Sequence, residues 1–253
     1  MILWLGFFIT GIISGWLFTY GSILVARKYN IRDHPTPRSS HGIPTPRIGG
    51  IGIAAPLLLF SLFSILYHKS EVRSYNEDLM WSILIGGGGC FIFGLVDDLR
   101  GIKPGKKFFF QVVFALYPVV LGYRIYSLAR FAGLVLPVFP GRLAALCWIL
   151  LMINAFNFMD GMNGMAAGFA ATAALFMSLL LKTGSLNLAL LAGVCIGFLI
   201  YNLTPAATFM GDCGSQFLGF ILAVIPLSLH SSDPVRYPFG CFIILFLPFL
   251  YDV

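Results

Sequence analysis

Long apolar runs alternate with short polar stretches from one end of the chain to the other. The runs cover about residues 3–25, 48–67, 79–96, 108–123, 143–159, 165–181, 186–203, 215–229 and 238–251. Each comes close to the roughly 20 residues that a helix needs to cross a hydrocarbon core. Backbone groups in lipid must be satisfied within their own segment, so the runs predict helices rather than isolated strands. The expected fold class is therefore all-α: a polytopic integral membrane protein of about nine transmembrane helices, with residues 1–253 forming a single transmembrane domain. Residues 1–26 carry no charge. They lack the basic start and small-residue cleavage site of a signal peptide, so they read as a retained first membrane helix.

Composition narrows the class further. Charged residues make up 10% of the chain and hydrophobic ones 58%, against about 25% charged in a soluble domain. The formal charge of +6 belongs to a different logic from that of a nucleic-acid binder. Lys and Arg in a membrane protein set orientation and meet anionic headgroups or phosphates. No basic-aromatic module points to nucleic acid. The cysteines, Cys90, Cys147, Cys195, Cys213 and Cys241, form no CxxC pair and read as small packing residues.

Nine runs leave eight loops. The odd-numbered ones, about 26–47, 97–107, 160–164 and 204–214, hold nine of the 16 basic residues. The even-numbered ones, about 68–78, 124–142, 182–185 and 230–237, hold the rest. The first loop usually dominates orientation and carries Arg27, Lys28, Arg32, Arg38 and Arg47. Odd loops are thus expected in the cytoplasm and the N-terminus outside. The polar clusters at 33–50, 97–111, 154–164 and 209–215 then all fall on that one face.

Four clusters carry candidate chemistry. Asp97 and Asp98 end the apolar run FIFGLV. Adjacent carboxylates near lipid repel each other unless a cation shares them. Mg²⁺ prefers hard oxygens and is held by one or two carboxylates plus substrate phosphates. A solvated helix end with Arg100 as partner is the plainer alternative. In NAFNFMDGMNGMAAG, Asn154, Asn157 and Asp160 recur every three residues and share a helix face. Polar groups on an otherwise apolar helix look into a cavity, or bond a neighbouring helix. Gly161 and Gly164 open a turn in which backbone N–H groups can approach a ligand. In TFMGDCGSQFLG, Asp212 lies between glycines just before a helix, a setting that suits a phosphate and a metal ligand. An ordinary N-cap at Asp212 or Ser215 is the simpler reading. The Pro-rich DHPTPRSSHGIPTPRIGG reads as an ordered loop with Arg38, Arg47, His34 and His41, and arginine matches phosphate geometry. Lys107 and Gln111 lie four apart in KFFFQ and point the same way. Lys103 and Lys106 read as snorkelling lysines.

Taken in order, these residues resemble the polyprenyl-phosphate N-acetylhexosamine-1-phosphate transferases, which include the undecaprenyl-phosphate GlcNAc-1-phosphate transferases and the phospho-N-acetylmuramoyl-pentapeptide transferases. The resemblance covers residues 33–219. The short spacing from Asp97 to Lys107 makes it similar to the GlcNAc-type and O-antigen-initiating branch. The resemblance implies that a polyprenyl phosphate attacks a UDP-N-acetyl sugar, giving a polyprenyl-diphospho-sugar and UMP in the first membrane step of cell-envelope polysaccharide synthesis. It implies Mg²⁺ as cofactor, with Mn²⁺ as an alternative, and a multi-pass protein of the bacterial inner membrane with its active face in the cytoplasm. Asp97, Asp98 and Asp212 would be catalytic, with Asp212 and Asn154 on the metal. Arg38, His41, Lys107, Asn154, Asn157, Asp160, Gly161, Asn163 and Phe209 would bind substrate, Phe209 against uracil. The expected partners are the UDP-sugar, polyprenyl phosphate and membrane lipid, and the assembly admits a homodimer.

Two departures stand out. Many relatives have Asp where this chain has Asn163. Relatives also continue past the position of Asp252 into a loop with a His-His pair, whereas this chain stops at LYDV. A C-terminally truncated domain is therefore expected, and a catalytically inactive homologue is one alternative. A transporter is the other, because Gly-broken polar helices also mark transport sites. A transporter would favour polar groups at the bilayer midplane and an inverted repeat, neither of which the sequence displays.

Overall fold

The structure is a computed structural model that describes residues 2–33, 44–67, 76–127, 135–181, 185–203 and 205–251. The chain begins with α1 (Ile2–Lys28), followed by β1 (Arg32–Asp33), which pairs antiparallel with β2 (Thr45–Pro46). Next come α2 (Ile51–Tyr67) and α3 (Glu77–Trp81). A π-helical stretch, Ser82–Gly87, carries α3 without a break into α4 (Gly88–Arg100). Then follow α5 (Pro104–Val120), α6 (Val138–Met159), α7 (Met165–Leu180), α8 (Ser185–Asn202), α9 (Gly211–Ser232) and α10 (Phe239–Tyr251). Among the described residues each of the nine apolar runs is helical, α3 and α4 together answering to the third.

Local chemistry sets the boundaries. The Asn76 side chain accepts from the Leu79 N–H at 3.0 Å and starts α3, as an N-cap should. Pro104 opens α5, where its missing N–H costs nothing. Gly101, at φ 64°, ends α4 in the conformation that most favours glycine. Among the described residues four helices are long and apolar enough to cross a membrane: Ile2–Lys28, Glu77–Arg100, Val138–Met159 and Gly211–Ser232. The others are shorter apolar segments packed beside them.

The layers are arranged around α9. Its residues from Cys213 to His230 are all buried, and α4 and α6 pack along its length. The outer helices turn large apolar side chains outward, among them Leu5 on α1, Phe63 and Leu66 on α2 and Ile244 on α10. Lipid tails are as apolar as these side chains, so association rests on close packing rather than on escape from water. Two contacts show how close that packing is. A Cβ on Gly94 of α4 would lie 2.4 Å from the Asp212 carbonyl oxygen, and one on Gly219 of α9 would lie 2.5 Å from that of Met152. Only glycine lets backbones meet at this distance. The Gly94 contact sits one turn below Asp97 and Asp98, so it sets how near their side chains come to the start of α9.

Candidate active site at the shared helix ends

The C-terminal ends of α4 and α6 and the N-terminal ends of α2, α5 and α9 meet at one end of the bundle. The chain between β2 and α2 is stitched to the chain before α9. Phe209 N–H donates to the Pro46 carbonyl at 2.8 Å, Gly49 N–H to that of Phe209 at 2.9 Å, and Gly50 N–H to that of Met210 at 2.8 Å. The Thr208 hydroxyl also donates to the Pro46 carbonyl, at 3.1 Å. This small ladder holds Arg47 over the entrance to α9.

The two adjacent aspartates separate completely. Asp98 has no exposed side-chain surface. Its Oδ1 accepts from the Asp212 N–H and its Oδ2 from the Cys213 N–H, each at 2.9 Å. Arg47 Nε lies 3.1 Å from Oδ1. A carboxylate from one helix thus satisfies two orphan N–H groups at the start of another, where the positive end of the helix dipole also favours it. Asp97, about 100° round the helix, turns to the start of α5 instead. Its Oδ1 accepts from the Ile102 N–H, which fixes the α4–α5 turn, and its Oδ2 lies 3.1 Å from Lys107 Nζ.

Lys107 is the centre of the cluster. Its ammonium donates to Asp212 Oδ2 at 2.7 Å and to Asn157 Oδ1 at 3.4 Å, besides its contact with Asp97. Asn157 Nδ2 in turn donates to Asp212 Oδ1 and, at 3.1 Å, to the Ser215 hydroxyl. Three oxygens from three helices converge on one positive point. The Asp97–Asp212–Lys107 group carries a formal net charge of −1 and is partly exposed, Lys107 by 18% and Asp212 by 15%. Such a group can take up further positive charge and admit a ligand from the loop side.

Asp160 caps α6 and is half-buried. Burial first, then the charges of Asp98 and Asp212, push its carboxyl well above the usual carboxylate range, against the opposing pull of the Gly211 N–H and Arg47. The turn that follows presents Gly161, exposed, and Asn163, half-buried. Phe209 lies half-buried in the ladder. Asn154, one turn below Asn157, is not beside Asp212. Its Nδ2 donates to Gln111 Oε1 at 3.1 Å and to the Leu150 carbonyl at 2.8 Å. The structure therefore brings together Asp97, Asp98, Lys107, Asn157, Asp160 and Asp212. Arg38 and His41 lie outside the described residues.

Two residues passed over in the sequence bear on the site. Asn202 Oδ1 accepts from the Gly164 N–H at 2.8 Å, and its Nδ2 donates to the Thr208 carbonyl at 2.9 Å. It thereby joins the turn after α6 to the ladder before α9. Gln216 meets Gln111 in the core. A lone amide inside an apolar run is the signal that would have found both, because such a group must have a partner.

The chain has clear relatives. The profile of glycosyl transferase family 4 matches residues 80–230. The chain is 31% identical over 235 residues to a decaprenyl-phosphate N-acetylglucosaminephosphotransferase of Mycolicibacterium smegmatis, covering 85% of this chain and 56% of that one. It is 30% identical to an undecaprenyl-phosphate alpha-N-acetylglucosaminyl 1-phosphate transferase of Thermotoga maritima, covering 90% and 64%. A phospho-N-acetylmuramoyl-pentapeptide-transferase of Prochlorococcus marinus is 29% identical, covering 85% and 64%. The chain thus spans between half and two thirds of the length of these relatives.

Proposed function

This chain belongs to glycosyl transferase family 4, and on that footing we propose that it transfers an N-acetylhexosamine 1-phosphate from a UDP-sugar to a polyprenyl phosphate. A lipid phosphate oxygen forms a bond to the β-phosphorus of the UDP-sugar. The bond from that phosphorus to the bridging oxygen breaks, and UMP leaves with the oxygen. The observation that carries this reading is the convergence of Asp97, Asp212 and Asn157 oxygens on Lys107.

The same convergence supports a metal. Two carboxylate oxygens and an amide oxygen around one cationic point are the hard donor set that Mg²⁺ favours, with substrate phosphates completing its shell. Asp212 and Asn157 would hold the ion. The ligand role expected of Asn154 passes to Asn157, because Asn157 is the amide that meets Asp212 and Lys107. When bound, the ion offsets the charge of the diphosphate. Lys107 leaves its carboxylates to meet a phosphate oxygen as negative charge builds up. Asp97 orients the lipid phosphate. A phosphate monoester has a second pKa of about 6 and is mostly dianionic at neutral pH, so no general base is needed. Asp98 positions Asp212 by holding the start of α9. Asp160, Gly161, Asn163 and Phe209 form the nucleotide side.

The basic first loop supports a cytoplasmic active face in a bacterial plasma membrane. The names of the relatives make UDP-GlcNAc the first sugar to test, with FucNAc or QuiNAc donors as alternatives. Asp212→Asn should abolish metal-dependent UMP release in membranes containing polyprenyl phosphate. Full activity in that variant would overturn the assignment.

A further inference from the structure

Under the α4–α5 turn lies a cavity of about 360 Å³, lined by Phe93, Gly101, Ile102, Lys103, Lys106 and Phe110. It adjoins the polar cluster, because the Ile102 N–H donates to Asp97 Oδ1 and Lys106 precedes Lys107 in the chain. Two stripes of side chains run through it. On α4, Gly89, Phe93 and Asp97 recur every four residues. On α5, Lys106, Phe110 and Phe114 do the same. Residues four apart share a helix face, each about 6 Å further along the axis. The Phe93 and Phe110 rings stack with centroids 4.4 Å apart, and Phe110 and Phe114 stack at 6.2 Å. A Cβ on Gly89 would run into the Phe114 ring. The stripes therefore meet along their length, charged at the active-site end and aromatic below it.

The two lysines of this cavity differ from Lys107. Lys107 is engaged by Asp97, Asp212 and Asn157. The ammoniums of Lys103 and Lys106 are exposed and have no partner among the described residues. Snorkelling accounts for charges at a membrane surface, but not for an open cavity between them and a pair of stacked rings. The charge fits one kind of lipid head. A phosphate monoester carries about −1.5 to −2 at neutral pH, which matches two ammoniums, whereas the phosphodiester of an ordinary phospholipid carries a single charge. The flat rings suit unsaturated isoprene units. Phe110 lines the cavity and is exposed as well, so a tail can leave sideways into lipid. The volume falls at the small end of ligand sites. It has room for a phosphate and the first isoprene units, with the rest of a chain in the bilayer.

We propose that this cavity is where the acceptor lipid docks: Lys103 and Lys106 gather its phosphate monoester, and Phe93 and Phe110 hold its first isoprene units. This rests on the function proposed above and adds the place at which the lipid enters. Asp97 lies on the Phe93 face of α4, one turn nearer the loop side. A lipid seated on the rings therefore has its head at the Asp97–Lys107 contact, where the two groups lie 3.1 Å apart.

The test uses the full chain in vesicles, with undecaprenyl phosphate as the probe and UMP release and photolabelling as readouts. Lys103→Gln combined with Lys106→Gln should raise KM for undecaprenyl phosphate roughly tenfold, the effect of about two exposed ion pairs, and leave KM for UDP-GlcNAc within about twofold of the parent. The melting midpoint in detergent should not move. Lys103→Arg combined with Lys106→Arg keeps the charge and should hold KM within about threefold of the parent. An undecaprenyl phosphate analogue with a diazirine in its first isoprene unit should label the segments that carry Phe93 and Phe110. Excess undecaprenyl phosphate should remove that label, and the same mole fraction of phosphatidylglycerol should not. Labelling confined to other helices overturns the proposal, as does a Gln pair with the parent's KM for the lipid, since the lysines then only snorkel. Equal displacement by phosphatidylglycerol also overturns it, leaving a general anionic-lipid surface. An equal rise in both KM values would move the lysines to the nucleotide and overturn it too. A parent that labels here but releases no UMP from any UDP-sugar overturns the proposed function and leaves the docking site standing.

Discussion

Asp98 binds two backbone N–H groups and Arg47, whereas Asp97 binds Lys107 and a turn. Removing either carboxylate should therefore have a different consequence. Asp98→Ala leaves Arg47 without its closest partner and uncaps α9. It should lower thermal stability in detergent by about 3 kcal/mol, chiefly because the Asp212 and Cys213 N–H groups lose their acceptor. Asp97→Asn keeps the size and an acceptor for Ile102. It should leave the melting midpoint nearly unchanged while UMP release falls on the order of 100-fold, the usual effect of removing one preorganised charge. Matching stability losses in both variants would contradict this division. Chain position alone could not assign these roles. Neighbours on a helix point about 100° apart, so the Asp-Asp pair announces two directions without saying what lies in each.

At the scale of elements, the apolar runs located the helices of the described residues but blurred the ends that matter. The fourth run begins near 108 by hydropathy, but the helix begins at Pro104. Pro104, Lys106 and Lys107 are helical without being apolar, and Lys107 thereby sits on a rigid turn rather than in a loop. The eighth run begins near 215, but α9 begins at Gly211, so Asp212 lies inside its first turn. Polar first turns are invisible to an apolar window, and active sites at helix ends are built from such turns. The packing of α4 on α9 gives a prediction at this scale. A Cβ on Gly94 meets the Asp212 carbonyl and carbon and the Cys213 Cα within 2.7 Å. Backbone atoms cannot give way as a flexible side chain does. Gly94→Val should push the two helices apart, open the 2.9 Å bonds from Asp98, and lose UMP release together with stability. Gly105→Val makes a control, since no atom lies within 4 Å of its added Cβ. The measurements are activity per membrane-inserted protein and the melting midpoint in detergent.

At the scale of the molecule, the polar helix ends gather on one side of the bundle, as loop parity predicted. Charged thiol reagents can check this in sealed vesicles, using a background without the native cysteines. Lys103→Cys and Met162→Cys, both at exposed positions, should label from the same side. Asp233→Cys, exposed after α9, should label from the other. Labelling of Lys103→Cys and Asp233→Cys from one side would overturn the topology.

The sequence by itself determined the solvent, the class and the rhythm of this protein. Scarcity of charge, the lengths of the apolar runs and the alternation of loops are properties of a line, and they require a multi-helix membrane protein with its chemistry on one face. Motif order along that line was enough to identify the lineage. Only the tertiary structure decided which groups meet. Asp98 serves a helix end, Lys107 stands among oxygens from three helices, Asn157 rather than Asn154 reaches Asp212, and Gln216 closes a layer of amides. Apart from Lys107 with Asp97 on the preceding helix, these pairings join residues from 43 to 115 positions apart. Side-chain direction and helix approach set them at the scale of a single ångström, which no window of neighbouring residues contains.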